Sequence, residues 1–174
     1  MTYPELAKFC GAKNVFVETK PENGYKMTAE ELEKAITPKT KLLILNSPNN
    51  PTGAVYSREE LSAIADVVLS RDGIFVVSDE IYRDLVYDGE KHVSIASLGE
   101  EIKSRTIIID GMSKSYAMTG WRTGWAIAPE KIANAMTRAQ SHMTSNVNSI
   151  AQYASLEGLT NTEKSDEFIA EMRK

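Results

Sequence analysis

The sequence predicts an α/β fold: three layers, α/β/α, on a mostly parallel sheet, forming one domain. Three observations predict it. Unbroken apolar runs at 42–45, 74–77 and 107–109 have strand length and no alternation, the pattern of strands covered on both faces. Segments with apolar residues at helical spacing lie between and after them. Capping and turn residues fall where one kind of run gives way to the other. The length, 174 residues, suits a single domain.

Taken in order, residues 14–18 read as a short strand. Thr28 stands three positions before Glu31, a capping box that opens a helix reaching about Ile36, with Pro38 as its stop. Residues 41–46 form a buried-strand pattern. Ser57 and Glu60 make a second capping box. The helix it opens has Leu61, Ile64, Ala65, Val68 and Leu69 on one face, and Asp72-Gly73 ends it. Strands follow at 74–78, 106–109 and 124–128, the second leading into the small-residue stretch 111–115. Pro129 and Glu130 suit the first turn of a long helix through Ile132, Ala135, Met136 and Ala139. A break near Asn146 precedes further helix through Ile150, Tyr153, Ala154 and Leu156, and the tail 160–174 is polar and helix-prone.

Lysine and arginine number 20, aspartate and glutamate 24, a net charge of −4. No cationic excess favours nucleic acid or an anionic membrane surface, so neither is an expected partner. No apolar run approaches the ~20 residues that span a bilayer. Met1-Thr2-Tyr3-Pro4-Glu5 has neither the basic nor the apolar region of a secretory signal. The one cysteine, Cys10, cannot form an intramolecular disulfide, which fits a reducing compartment. The expected location is the cytoplasm. His92, His142 and Cys10 lie far apart in sequence, so no metal site is expected.

In open α/β sheets the ligand lies beyond the carboxyl ends of the strands. That rule selects 46–53, 78–82 and 110–114. Each has a plain reading when taken alone. Asn46-Ser47-Pro48-Asn49-Asn50-Pro51-Thr52-Gly53 makes a rigid surface loop. Asp79 serves as a helix cap and Tyr82 as a core aromatic. Lys114 is a solvated lysine, although the small residues around it leave room to approach a ligand. Together they place an amide, an acid, a phenol, a lysine and an arginine on one rim. Pyridoxal phosphate needs such a set. A lysine amine forms a Schiff base with its aldehyde, a carboxylate keeps its pyridine nitrogen protonated, and cationic and hydroxyl donors hold its phosphate.

Residues 46–56 (NSPNNPTGAVY), 77–82 (VSDEIY) and 111–124 (GMSKSYAMTGWRTG) carry a closer likeness. On these strings the chain resembles the class I, aspartate-type pyridoxal-phosphate aminotransferases, of fold type I. Weaker likeness runs from Thr2-Tyr3-Pro4-Glu5 to Ala151-Gln152. The resemblance implies that Lys114 is the catalytic lysine, which bonds to the cofactor and shuttles the proton between substrate Cα and cofactor C4′. It implies Asp79 as the acid on the pyridine nitrogen and Tyr82 and Asn50 as partners of the ring O3′. Arg122 is implied as the phosphate-binding arginine, with Ser113 as an additional phosphate neighbour. Tyr116 and Trp121 are expected to pack rather than react, and Gly120 and Gly124 to be backbone-fit positions. Two positions depart from the family pattern. Gly111 stands where many relatives carry a phosphate-binding serine, and Thr123 where an aliphatic residue is usual.

The resemblance also implies amino acid and 2-oxo acid substrates and a homodimer for the full-length protein. It covers part of the large, cofactor-binding domain, so residues 1–174 are expected to be a truncated piece of it, without the N-terminal part and the small domain. Such a piece is expected to be nearly inactive alone, because distant groups that assemble a site supply up to about 7–11 kcal/mol of barrier reduction. Two other readings stay open: a C–S lyase or aminocyclopropane-carboxylate synthase using the same cofactor, and a non-catalytic truncated domain.

Overall fold

The computed structural model describes residues 3–172. It opens with α1 (Tyr3–Phe9), a helix no sequence pattern announced, with Glu5 in its first turn and Lys8 in its last. That charge order favours the helix dipole. Residues 14–18 are not a strand. No neighbouring strand pairs with them among the described residues, and Val15 and Phe16 stand exposed. A strand without a partner leaves its peptide groups unpaired, so β-propensity alone does not make one.

Both capping boxes form. Thr28 Oγ1 accepts the Glu31 N–H at 3.2 Å and Glu31 accepts the Thr28 N–H at 2.8 Å, starting α2 (Ala29–Ala35). β1 (Leu42–Asn46) follows. Ser57 and Glu60 start α3 (Arg58–Leu69) the same way. β2 (Phe75–Asp79) leads to a 3₁₀ turn (Ile95–Leu98) and the short α4 (Glu100–Lys103). β3 (Thr106–Gly111) and β4 (Gly124–Ile127) complete the sheet, and α5 (Glu130–Met143), α6 (Ser149–Thr160) and α7 (Glu163–Met172) complete the chain. The break near Asn146 lies between α5 and α6. Asn148 caps α6 by accepting the N–H groups of Ile150 and Ala151.

The four-stranded sheet runs in the order β1-β2-β3-β4 and is flanked by helices. β1, β2 and β3 are parallel, whereas β4 is antiparallel to β3, so the sheet is mixed. The predicted α3 face and Leu32 of α2 close the core. Leu32, Leu61, Ile64, Ala65 and Val68 meet Leu45, Ile74, Val76, Ile95 and Ile102. Each such large aliphatic side chain stabilises by about 1.5–3 kcal/mol through burial. The register sets Asn46 beside Asp79 and Asp79 beside Ile109. The three predicted strand-end segments therefore share one rim.

Gly111 and Gly124 face each other across β3 and β4. A Cβ on Gly111 would sit 2.8 Å from the Thr123 carbonyl oxygen and 2.9 Å from Gly124 Cα. The backbones approach so closely here that a side chain at Gly111 would require the strand pair to shift. Gly124 is likewise a backbone-fit position, since its Cβ would meet the Asp110 oxygen at 3.0 Å. Gly120 is not: a Cβ there would meet nothing within 4 Å.

Candidate functional site

The loop after β1 is knitted by its own side chains. Asn46 Oδ1 accepts from Asn49 Nδ2 at 3.2 Å, and Asn49 Oδ1 accepts from Thr52 Oγ1 at 2.9 Å. The peptide bonds before Pro48 and Pro51 are cis. Below, the buried Ser47 hydroxyl accepts the Tyr56 N–H, and the Tyr56 hydroxyl accepts the Met27 N–H at 2.7 Å. Burial raises the Tyr56 phenol above its usual pKa, so it stays neutral. This frame presents the exposed Asn50 at the rim, where its Nδ2 donates to the Tyr82 hydroxyl at 3.1 Å.

Asp79 ends β2. Its carbonyl oxygen accepts from Ser47 N at 3.2 Å and Asn46 Nδ2 at 3.1 Å. Its carboxylate accepts the Ile81 N–H through Oδ1 and the Tyr3 hydroxyl through Oδ2. Burial, then the bond and charge of Asp79, push the Tyr3 phenol far above its usual range. Tyr3 is thus a neutral donor behind the carboxylate. No local spacing reveals it, because it lies 76 positions from Asp79.

Lys114 lies in the turn after β3, half-buried, with Nζ 5.3 Å from the centre of the Tyr82 ring. A cation at that distance is attracted to the ring face. Lys114, Tyr82 and Asn50 thus form one contact chain, with Asp79 three residues before Tyr82. Met112 and Tyr116 pack beneath the lysine turn against α6. A Cβ on Gly158 would come within 2.8 Å of Met112 Cε and 3.3 Å of Tyr116 Cδ1. Tyr116 therefore packs as expected.

The other two predicted residues are less engaged. Ser113 is half-buried beside Lys114. Arg122 is exposed, its backbone in the left-handed region, with Nη1 donating to the Thr119 carbonyl at 2.9 Å. It lines an open cavity of about 750 Å³ with Trp121, Gln140, Asn146 and Asn148. Trp121 is 46% exposed, so it does not pack as expected; it sits on a 3₁₀ turn (Thr119–Trp121) at the cavity wall.

An ion pair ties the turn after β2 to the strand before the lysine. Arg83 Nη1 contacts Asp110 Oδ2, and Asp110 Oδ1 accepts the Gly111 N–H at 2.7 Å. Burial lifts the Asp110 carboxyl above its ordinary value, although the Gly111 N–H and Arg83 oppose the shift. Burial lowers Arg83, but the charges of Asp110 and Asp84 outweigh it and leave its pKa raised. No helix among the described residues is long and apolar enough to cross a membrane.

The rim thus combines an amine, a carboxylate, a phenol and an amide, a set suited to a ligand with a reactive carbonyl group. Residues 1–174 match the family described as "Aminotransferase class I and II", and the chain belongs to that family. It is 53% identical over 156 residues to an aspartate aminotransferase of Geobacillus stearothermophilus, covering 90% of this chain and 39% of that protein. It is 51% identical over 174 residues to an aspartate aminotransferase of Bacillus sp. strain YM-2, covering 100% of this chain and 43% of that one. The solved structure of aspartate aminotransferase from Thermus thermophilus with maleate superposes with a TM-score of 0.93 at 44% identity, covering 99% of this chain and 44% of that one. The chain therefore spans about two fifths of the length of the curated relatives it matches. The fold is that of the pyridoxal-phosphate-dependent transferases.

Proposed function

We propose that residues 46–122 form the lysine-bearing part of a pyridoxal-phosphate site. The whole protein would transfer an amino group between an amino acid and a 2-oxo acid, and aspartate is the donor suggested by the relatives' names. The observation that carries this reading is the contact chain of Lys114 Nζ, the Tyr82 ring and Asn50 Nδ2, beside the carboxylate of Asp79. The donor set fits the cofactor: one amine, one carboxylate, two polar groups for a ring oxygen, and a guanidinium and hydroxyl for a phosphate.

When bound, the cofactor supplies an aldehyde that condenses with an amine and a ring that takes up the electron pair released at substrate Cα. Lys114 Nζ is proposed as the amine that would hold the aldehyde carbon until the substrate amine displaces it, and, once freed, as the base that would move the proton between substrate Cα and the cofactor C4′. Asp79 would hold the proton on the pyridine nitrogen, and Tyr3 would keep that carboxylate aimed. Tyr82 Oη and Asn50 Nδ2 would orient the ring hydroxyl. Arg122 and Ser113 would meet the phosphate. The likeness to the family supports a homodimer acting in the cytoplasm, with residues 1–174 forming part of its cofactor-binding domain.

Borohydride reduction of the chain mixed with pyridoxal phosphate, followed by peptide mapping, tests the reading. Label is expected on Lys114 and is expected to vanish in Lys114→Ala. Label spread evenly over surface lysines would refute it.

A further inference from the structure

The residue after Asp79 belongs to none of the contacts described above. Glu80 is 4% exposed, an unusual place for a carboxylate. β2 alternates its faces, and the alternation continues past its end. Val76, Ser78 and Glu80 are buried, whereas Phe75, Val77 and Asp79 are only partly so. Adjacent carboxylates therefore leave the backbone on opposite faces: Asp79 toward the rim and Glu80 into the protein.

Glu80 is closely held on that inner side. Oε1 accepts from Ser78 Oγ at 2.8 Å and from Ser94 Oγ at 2.6 Å. Oε2 lies 3.0 Å from His92 Nε2, whose side chain is 12% exposed. Facing a carboxylate, that nitrogen is the donor. Burial pushes the Glu80 carboxyl up, but bonds from His92, Ser94 and Ser78 outweigh it and keep the group below its ordinary value. Its backbone is pinned as well. Glu80 N donates to Ile109 O at 2.9 Å, and Glu80 O accepts the Arg83 N–H at 2.8 Å. The turn that follows Asp79 and carries Tyr82 thus closes between Glu80 and Arg83, on the backbone of this one residue. His92 and Ser94 come from the segment before the 3₁₀ turn at 95–98, more than ten positions downstream.

We propose that Glu80 is a positioning residue: its buried carboxylate, fastened by Ser78, Ser94 and His92, fixes the turn that presents Asp79 and Tyr82 at the rim. The clamp acts through the backbone, with strand alternation turning an inward anchor into an outward aim. A bound partner behind a ligating group is often worth as much as a direct contact, because it removes freedom from the group it supports. The cofactor consequence rests on the pyridoxal-phosphate reading; the conformational one does not.

The test compares Glu80→Ala, Ser94→Ala and the control Val68→Ala. Val68 is fully buried in α3 at the opposite end of the sheet, where its carbonyl meets Arg105 just before β3. Amide hydrogen exchange of residues 79–83 is read without cofactor, and pyridoxal-phosphate affinity is read by absorbance titration. Faster exchange at 79–83 in Glu80→Ala and Ser94→Ala, with no such change in Val68→Ala, is expected. Affinity is expected to fall about tenfold in the two clamp variants, as for groups that support metal ligands. Partial recovery is expected in Glu80→Gln, whose amide oxygen still accepts from both serines. Unchanged exchange at 79–83 in Ser94→Ala, or an equal rise in Val68→Ala, overturns the clamp. If Glu80→Ala does not fold, Ser94→Ala decides. Failure of the wild type to form a borohydride-reducible bond at Lys114 sinks the cofactor reading instead, and the exchange data still decide the clamp.

Discussion

The turn after β2 and the one containing Arg122 carry opposite charges, and they are built differently. Asp79 has its carbonyl held by two donors, its carboxylate held by two more, and a buried anchor one residue on. Arg122 is exposed in a left-handed backbone conformation, with one bond to the carbonyl of Thr119. The ring side of the proposed site is therefore organised by residues of this chain, from Tyr3 to Ser94. The phosphate side has a charge but little to fix its direction. Preorganised groups lose less freedom on binding, so they convert more of each contact into affinity.

The sharpest test of this contrast is a pair of substitutions read by pyridoxal-phosphate titration. Asp79→Ala removes a charge-assisted partner that is already aimed, a loss of about 1.5–3 kcal/mol, or roughly 10- to 150-fold in Kd. Arg122→Ala removes a charge that must first be ordered, and a loss of about tenfold or less is expected. Neither the second variant's fold nor its urea midpoint should change. A larger loss from Arg122→Ala than from Asp79→Ala would reverse the comparison and make the phosphate side the anchor.

The same contrast explains what was legible in the sequence. The capping boxes at Thr28 and Ser57, the apolar strands and the rim at 46, 79 and 110 are local patterns, and they formed as read. Lys114, Tyr82 and Asn50 come from three separate motifs and do meet. The roles of Tyr3, His92 and Ser94 are not legible in the sequence, because their partners are set by tertiary packing, not by spacing. The strand expected at 14–18 failed for a related reason: pairing is a property of two segments, and the sequence of one does not supply the other. The antiparallel direction of β4 was not visible either, because its apolar pattern does not encode strand direction.

A second break point lies in the backbone that joins the two turns. Gly111→Ala would press a methyl group against the Thr123 oxygen and Gly124 Cα at 2.8 and 2.9 Å. Both are backbone atoms, so the strand pair must move, at an expected cost of about 1–3 kcal/mol. Gly120→Ala enters open space on the Arg122 side and should shift stability by about 0.5 kcal/mol or less. Urea midpoints of the two variants measure the difference directly. Equal midpoints would mean that the β3–β4 approach is softer than its geometry indicates.

The smallest effect separates two buried carboxylates by sign. Glu80 is held below its ordinary value of 4.5 in the folded chain, so it binds a proton less readily than when unfolded. Its contribution to stability is therefore present above the unfolded value and is lost as pH falls through the folded one. Asp110 is raised from 3.8, chiefly by burial, so its term runs the other way. The stability it contributes is present below the unfolded value and is lost as pH rises through the raised one. Glu80→Gln should flatten the acid side of the stability curve, measured as the urea midpoint from about pH 6 down to pH 3. Asp110→Asn should steepen it, because it removes a group that gains protons on folding. The two slopes test whether the β2 turn is held by a carboxylate that must stay charged. If Glu80→Gln leaves the slope unchanged, the two serines and His92 hold Glu80 equally well when it is protonated, and the turn is fixed by shape rather than by charge.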